Sequence, residues 1–444
     1  MTVSRTICLG FLALVIIGTL LLMLPISIQG GAWNDPVTAL FTATSAVCVT
    51  GLIVVDTGTY YSLFGEMIIL LLIQVGGLGY MTATTFLLLL LGRRFGLKEK
   101  LAIQKSLDVV GMSGVVQLVR SIIAFTLVFE LGGMVLLFPV FAEDYGPFYS
   151  AWLAIFHSIS AFNNAGFSLF EDSLIQYATN VPVNLVISGL IILGGLGYQV
   201  IMEAYVWTRR RFQRRRDWRI FSLNFKIALS TTVFLLIAGT IGFFITEYRN
   251  AATLAPLSFS EKLLVSWFHS VMPRTAGFNA VDYGALTTAT LSLTIALMYI
   301  GANPGSTGGG IKTTTFRILY NTTKSILQGK EEVLCYQRQI PMPLILKAVG
   351  VVFGSGVTVI TATILIAFTN PELDFIRLLF EAVSAFATVG LSTGITASIS
   401  TAGKLVLIMT MYAGRVGVLI FMAALLGDPK PSVINYPEEN LLVG

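Results

Sequence analysis

Four short segments of this chain carry similar residue types in the same order, and each ends in a glycine that could expose backbone carbonyl groups. Each begins with a phenylalanine and reaches the glycine ten positions later, or nine in the third segment. Glycine adopts left-handed backbone conformations and tolerates close contact, so consecutive carbonyl oxygens can turn toward one axis. Rings of such carbonyls can replace the water shell of a cation. The segments are Phe41–Gly51, Phe156–Gly166, Phe268–Gly277 and Phe380–Gly390.

The residues around these glycines form the predicted ion-binding filter. Their leading phenylalanines recur at intervals of about 112 to 115 positions, which indicates a repeated structural unit. One such glycine alone would be explained as a helix end, whereas four in register favour a filter that binds K+ at backbone carbonyls. Potassium channels carry a second glycine in TVGYG, so fewer sites or lower selectivity are expected here. The predicted filter residues are Val49, Thr50, Gly51, Leu52, Asn164, Ala165, Gly166, Phe167, Thr275, Ala276, Gly277, Phe278, Thr388, Val389, Gly390 and Leu391.

The composition indicates that these segments lie in a membrane protein. Of 444 residues, 55% are hydrophobic and 11% are charged, and the mean hydropathy is +0.81. Soluble domains carry about 25% charged residues. The net charge of +5 does not indicate nucleic-acid binding, because the positive residues cluster between apolar runs, as membrane topology requires. We therefore expect one membrane domain surrounded by lipid, with no nucleic-acid partner.

About eight apolar runs are long enough to cross a bilayer, which takes roughly 20 residues. Between the two runs of each pair lies a stretch of about half that length, typical of a re-entrant pore helix. Each repeat therefore has a first span (M1), a pore helix (P) and a second span (M2). The predicted fold is an all-α membrane protein with eight transmembrane helices and four re-entrant pore helices. The predicted spans are residues 6–28, 62–92, 116–141, 181–207, 219–246, 286–320, 344–368 and 403–426.

Two of the pore helices carry N-terminal signals. Asn34-Asp35-Pro36 and Asn370-Pro371-Glu372 each offer a polar cap, a proline for the first turn and early negative charge. The C-terminal ends of the pore helices then point at the filter glycines. Because a helix C-terminus carries partial negative charge, four of them aimed at one axis favour a cation there.

The loops after the second, fourth and sixth spans are basic, whereas the alternate segments are richer in acids. By the positive-inside rule these loops are cytoplasmic, so both termini are expected in the cytoplasm and the protein spans the cell (plasma) membrane several times. Topology explains the arginine run, with contact to anionic lipid or a partner as an addition. The basic residues are Arg93, Arg94, Lys98, Lys100, Lys105, Arg209, Arg210, Arg211, Arg214, Arg215, Arg216, Arg219, Lys324, Lys330 and Arg338.

The third M2 span contains ten residues rich in glycine, serine and threonine, together with Pro304. This composition breaks a helix. Unwound backbone at membrane depth must be buried in protein or line a cavity, and directly below a filter it could obstruct ions; a static helix break is the alternative. The glycines of 76–80 and 194–198 in the first two M2 spans are explained by close helix packing. The predicted gate residues are Gly305, Ser306, Thr307, Gly308, Gly309 and Gly310, within loop 301–313, together with Arg415.

Arg415 lies in an apolar run of the fourth M2 span, where an arginine is costly unless it faces a polar interior. Its register matches Gly77 and Gly195, which predicts a position near the axis beneath the filter, with carbonyls of the third-repeat loop as partners. A guanidinium there would pin the loop closed and raise a barrier to cations. A purely structural clamp on the same carbonyls is the alternative.

His157 and His269 occupy the same position in the second and third segments, where the others have Thr42 and Glu381. We expect these histidines to brace the filter from behind by hydrogen bonds, with proton sensing as the alternative. Glu381 needs a partner at membrane depth, which the sequence does not identify.

Catalytic chemistry has no support in the sequence. Cys8, Cys48 and Cys335 are expected to be free thiols. We find no nucleophile–base set, metal-ligand cluster or cofactor motif, so we expect neither an enzyme nor an organic cofactor.

With these four tetrapeptides and paired spans, the chain resembles the Trk/Ktr/HKT superfamily of potassium transporters over essentially its whole length. Eight spans and the ending Tyr436-Pro437-Glu438-Glu439 are more similar to KtrB-type membrane subunits than to TrkH-type subunits. The resemblance implies a pseudo-fourfold arrangement around one pore and a mobile intramembrane gate loop. It also implies a homodimer on a cytosolic ring of KtrA-type nucleotide-binding regulatory subunits, and sodium-dependent uptake with Na+ as an activator.

The expected function is the potassium-translocating subunit of a channel-like uptake system, selective through the four-repeat filter and gated by the loop with Arg415. The alternative is a sodium- or proton-coupled secondary transporter, which requires intramembrane acids. The candidates for those acids are Glu381, Glu66, Glu130 and Glu203. The predicted repeats are residues 1–105, 106–217, 218–335 and 336–444, the last with a C-terminal tail.

Overall fold

The structure, a computed structural model, describes residues 3–79, 115–212 and 221–427. Several sequence expectations lie outside the described residues: the later part of the second predicted span, the basic residues from Arg93 to Lys105 and from Arg214 to Arg219, Tyr80, and the ending 436–439. The repeat boundaries at 105/106 and 217/218 also lie outside them, so those boundaries stay predictions.

The M1 helices are long and apolar. They are Val3–Met23, Val115–Tyr145, Leu223–Glu247 and Met342–Thr369. Among the described residues, these four are long and apolar enough to cross a membrane singly, and six spans result if each of two bent helix pairs counts as one. The eight-span arrangement therefore stays a prediction.

The pore helices are short and end at the filter segments. They are Pro36–Val47, Pro147–Phe162, Phe259–Val271 and Phe375–Phe386. Asp35 caps the first as predicted, because its carboxylate accepts from Thr38 N at 2.9 Å. Ser258 and Glu261 form a capping box on the third. These caps satisfy amide groups that lack partners in the first turn of a helix.

The fourth pore helix begins at Phe375, with Asp374 at the N-cap, so the prediction of a start at Asn370-Pro371-Glu372 was wrong. Asn370 instead ends the preceding M1 helix, where its Nδ2 donates to Ile366 O at 2.9 Å. Its Oδ1 accepts from Ser400 N at 2.8 Å, next to the start of the fourth M2 helix. The asparagine therefore joins M1 to M2 in this repeat.

The M2 spans are broken in more repeats than the sequence indicated. They comprise Leu63–Leu78 in the first repeat, Val181–Leu196 with Tyr198–Phe212 in the second, Thr288–Tyr299 with Thr313–Leu327 in the third, and Thr401–Val416 with Val418–Leu426 in the fourth. The second and fourth bend by 101° and 99°, at Gly197 and Gly417, whose φ angles are 90° and 89°.

Close packing explains only part of the M2 glycine pattern. A Cβ on Gly76 or Gly194 would strike the carbonyl oxygen of Val47 or Phe162, each at the end of a pore helix. Gly197 has a different role, because its positive φ allows the bend. Close packing therefore explains Gly76 and Gly194. It does not explain Gly197, where the helix bends.

A small hairpin lies between the third and fourth repeats. Leu334–Cys335 pairs with Arg338–Gln339, and Tyr336 and Gln337 form the turn with φ of 50° and 62°. Cys335 packs with Ile227 and Ile345 in a small apolar cluster. The predicted boundary at 335/336 falls in this turn.

The C-terminal halves of the four pore helices are largely buried. Phe41, Phe156, Phe268 and Phe380 are fully buried. The M1 helices expose large apolar side chains such as Phe353 and Phe368. An exterior of large apolar side chains is the arrangement expected of a protein surrounded by lipid.

Candidate functional site

The four filter glycines form a closed ring. A Cβ on each would lie under 3.0 Å from the carbonyl oxygen that precedes the glycine of the next repeat. The fourth repeat contacts the first in the same way, which closes the ring. All four glycines have φ between 71° and 90°, a region that favours glycine. The glycine and carbonyl pairs are Gly51 with Ala165, Gly166 with Ala276, Gly277 with Val389, and Gly390 with Thr50.

A second left-handed residue lies two positions before each glycine. These residues are Val49, Asn164, Thr275 and Thr388, with φ of 50°, 57°, 70° and 49°. Such a conformation costs a non-glycine residue on the order of 1–3 kcal/mol and persists where the surroundings hold it. Positive φ at alternate residues, repeated four times, is a backbone that can direct successive carbonyls to one side.

Serines at the pore-helix ends hold this backbone. Ser45 Oγ accepts from Gly51 N and Ser384 Oγ accepts from Gly390 N, each at 3.1 Å. Ser160 Oγ donates to Phe167 O at 2.8 Å. The third repeat has Met272 at this position. These serines were not predicted, although a serine four residues after the phenylalanine recurs in three repeats.

The position after each leading phenylalanine ties the pore helix to the chain beyond the filter. Tyr61 Oη donates to Thr42 Oγ1 at 3.0 Å, and His157 Nε2 lies 3.0 Å from Ser168 Oγ. His269 Nδ1 lies 2.8 Å from Tyr283 Oη. Both histidines therefore make the hydrogen bonds expected behind the filter.

Glu381 occupies the same position in the fourth repeat, and the structure identifies its partners. The fully buried carboxylate accepts from Ser392 Oγ at 2.6 Å, Thr393 N at 3.0 Å and Thr396 Oγ1 at 2.8 Å. Three donors stabilise a buried carboxylate that would otherwise be costly.

The third-repeat loop is unwound between Tyr299 and Thr313 and is held at its base. Gly301 N donates to Ile311 O at 2.9 Å and Ala302 N donates to Gly309 O at 3.2 Å. Asn303 Nδ2 also donates to Gly195 O at 3.0 Å. The loop is therefore a compact structure attached to the break in the second M2 span.

The tip of this loop lies against the left-handed filter residues of three repeats. Thr307 Oγ1 donates to Asn164 Oδ1 at 3.2 Å. A Cβ on Gly308 would strike Thr275 Oγ1, and one on Gly309 would strike Thr388 Oγ1. The loop is thus packed directly on one end of the glycine ring.

Arg415, in the fourth M2 span, connects the third-repeat loop to the M2 helix of the first repeat. Its Nη1 donates to Thr307 O at 2.5 Å, and its Nη2 donates to Gly76 O and, at 3.3 Å, to Gly77 O. The loop carbonyl was expected as a partner, whereas the first-repeat carbonyls were not. Within residues 3–79, 115–212 and 221–427, Arg415 has no carboxylate partner, so its positive charge is not neutralised there by an ion pair.

The acids considered for ion coupling are hydrogen-bonded by neutral groups. Glu130 Oε1 accepts from Asn163 Nδ2 at 2.9 Å, and Glu66 Oε2 accepts from Trp152 Nε1 at 2.5 Å. Glu203 Oε2 accepts from Ser222 N at 3.2 Å. Glu130 is linked to the filter through Asn163, which precedes the filter residue Asn164, as Glu381 is through Ser392, which follows Leu391.

Comparison with known proteins gives matches along nearly the whole chain. Residues 8–429 match the family model described as TrkH, cation transport protein. The chain is 40% identical over 444 residues to the Ktr system potassium uptake protein B of Bacillus subtilis (strain 168), covering 100% of this chain and 97% of the relative. It is 38% identical over 445 residues to the potassium/sodium uptake protein NtpJ of Enterococcus hirae, covering 99% and 97%.

A solved structure shares the fold. The crystal structure of the potassium transporter TrkH from Vibrio parahaemolyticus matches with a TM-score of 0.72 at 17% sequence identity, covering 95% of this chain and 85% of that chain. The similarity supports a helical membrane-transporter fold.

Proposed function

Because the chain belongs to the TrkH family of cation transport proteins and is an integral membrane protein, we propose that it is the potassium-translocating subunit of a channel-like uptake system. The observation that carries this proposal is the closed ring of Gly51, Gly166, Gly277 and Gly390. A ring of four backbone segments offers carbonyl oxygens from every side, which is the arrangement that replaces the hydration shell of K+.

Potassium as the ion is supported by two relatives. The Bacillus subtilis and Enterococcus hirae proteins are named for the uptake of potassium and of potassium and sodium, respectively. The match covers nearly the whole length of each relative. We therefore propose K+ as the transported ion and Na+ as the first ion to test as an activator.

The gate is proposed to be the third-repeat loop together with Arg415. The loop tip lies on the glycine ring, so an ion leaving the ring at that end meets Thr307, Gly308 and Gly309. Arg415 adds a positive charge and holds Thr307 by its carbonyl. Opening then requires these hydrogen bonds to break and the loop to move aside.

The proposed assembly follows from the Ktr relatives, which are named as proteins of a Ktr system. We propose a homodimer that binds a cytosolic ring of nucleotide-binding regulatory subunits, with both termini of this chain in the cytoplasm. By binding the closed and open states of this chain with different affinities, such a ring would shift the equilibrium between the closed and open positions of the loop.

A coupled secondary transporter is the second candidate, and the observation that favours it is Glu130, buried beside the filter residue Asn164 through Asn163. Current measured against voltage in reconstituted vesicles separates the two. With Na+ low and equal on both sides, at equal pH, the channel-like protein should reverse close to the K+ equilibrium potential. A reversal potential near half of that value, as one-to-one coupling to Na+ or H+ requires when the coupled ion has no gradient, would support coupling and contradict the channel-like proposal.

A further inference from the structure

An apolar groove lies where the M1 helix of the third repeat begins, away from the filter and the gate. It has a volume of about 480 Å³. Its walls come from the first three turns of this helix, the residues just before it, and the hairpin between the third and fourth repeats. The lining residues include Lys226, Leu229, Ser230, Val233, Phe234 and Tyr336.

Two cations flank one aromatic ring at this groove. Lys226 Nζ and the Arg317 guanidinium carbon each lie 5.9 Å from the centroid of the Tyr336 ring. Tyr336 Oη donates to Ser230 Oγ at 2.8 Å, which fixes the ring. These distances are within the range of cation–π attraction, so both positive groups lie close to the same tyrosine ring.

Neither cation is neutralised within the described part of the chain. No carboxylate there forms an ion pair with Lys226 or Arg317, and Arg317 Nε is a buried donor with no hydrogen-bond acceptor. A buried donor without an acceptor costs free energy. An anionic ligand at this position could therefore supply an acceptor to Arg317 Nε and a counter-charge to both cations.

The groove continues into an apolar stripe along the same helix. The stripe comprises Leu229, Val233, Phe234, Ile237, Ile241 and Ile245, with exposed fractions of 43% to 68%. Most are spaced four residues apart, so they share one side of the helix. In an integral membrane protein this side faces acyl chains.

We propose that the groove binds one anionic phospholipid, with its phosphate between Lys226 and Arg317 and an acyl chain along Leu229, Val233 and Phe234. The order of the two parts matches a lipid, because the charged end lies at the helix terminus and the apolar end runs toward the membrane interior. The uncompensated pair of cations favours an anionic headgroup over a zwitterionic one.

Native mass spectrometry of the full chain in detergent tests the proposal, with phosphatidylglycerol and phosphatidylcholine of identical acyl chains as probes. We expect phosphatidylglycerol to be retained more tightly. The double variant Lys226→Gln/Arg317→Gln should bind it about 25-fold more weakly, or about fivefold for each charge removed. Arg249→Gln/Lys404→Gln is the matched control, because Arg249 follows the opposite end of the same helix, and it should bind like the unmodified chain.

A second pair of variants tests the acyl-chain contact. Phe234→Ala should weaken phosphatidylglycerol binding, whereas Phe353→Ala, which removes an exposed phenylalanine from the fourth M1 helix, should not. If the double variant does not fold, as judged by its elution volume and melting temperature, the two single charge variants replace it.

Three results would overturn the proposal. The first is equal retention of the two lipids. The second is unchanged phosphatidylglycerol binding after loss of either charge. The third is displacement of the lipid by an equal concentration of inorganic phosphate, which would indicate an anion site without a role for the acyl chain.

Discussion

Arg415 donates from Nη1 to the carbonyl oxygen of Thr307 at 2.5 Å, although the two residues are 108 positions apart in the chain. The same guanidinium donates to carbonyls of Gly76 and Gly77. One side chain of the fourth repeat thereby joins the third-repeat loop to the first-repeat M2 helix. Because the loop tip also contacts Asn164, Thr275 and Thr388, all four repeats meet at this point.

Replacing Arg415 with alanine should raise K+ flux by about tenfold or more, because it removes charge-assisted hydrogen bonds worth on the order of 1.5–3 kcal/mol each. Arg415→Lys should give an intermediate flux, since one ammonium cannot reproduce the forked guanidinium. Flux is measured in reconstituted vesicles. Arg377→Ala is the control, because Arg377 pairs with Asp374 near the start of a pore helix. Equal K+ flux in Arg415→Ala and the unmodified chain would contradict the gate role and indicate that Arg415 is only a structural clamp on the loop carbonyls.

Thr307→Val should also raise K+ flux, by several-fold, because valine keeps the shape of threonine and removes the hydrogen bond to Asn164 Oδ1. Loss of one hydrogen bond that leaves a buried acceptor unsatisfied costs about 1–3 kcal/mol, which favours movement of the loop away from the filter. Thr358→Val is the matched control, because Thr358 Oγ1 donates to Gly354 O within its own helix. A rise of the same size in both variants would count against a specific role for the loop contact.

Glu381→Gln should lower both the melting temperature and the preference for K+ over Na+. The carboxylate accepts three hydrogen bonds from the segment after the filter, and an amide, with one oxygen, cannot accept all three. Glu247→Gln provides the comparison, because Glu247 is equally buried and accepts from Asn250, Thr253 and Thr287, none of which belongs to a filter segment. It should lose stability and keep its selectivity. Reversal potentials in mixed K+ and Na+ measure the difference, and unchanged selectivity in Glu381→Gln would contradict the bracing role.

Ser45→Ala and Ser384→Ala should each weaken K+ uptake affinity several-fold, because the amide of Gly51 or Gly390 then loses its acceptor. The buried N–H left unpaired costs about 1–3 kcal/mol and loosens the filter backbone. Ser355→Ala, which removes a hydroxyl that donates to Val351 O within M1, should have normal affinity. The idea fails if K+ uptake by all three variants has the same concentration dependence.

The four similar segments that end in a glycine of positive φ could be predicted, because phenylalanine and glycine recur there in register. The contact between Arg415 and the loop could be predicted as well, since an arginine in an apolar run must find carbonyls or a carboxylate. The break at Gly197 could not, because a glycine that allows close packing and one that allows a bend look the same in a sequence. Asn370 was misread because its side chain caps the end of one helix rather than the start of the next. The partners of Glu381 depend on how the chain folds back after the filter, which no local pattern specifies.

Potassium-limited growth and uptake in a transport-deficient bacterium test the central claim most directly. Gly51, Gly166, Gly277 and Gly390 are replaced by serine one at a time, and Gly189→Ser is the control, since a Cβ at Gly189 meets nothing within 4 Å. Each filter variant places a side chain against a carbonyl of the next repeat at a positive φ, so K+ uptake affinity should fall at least about tenfold in all four, with normal affinity in the control. Normal uptake affinity in all four filter variants would contradict the potassium filter.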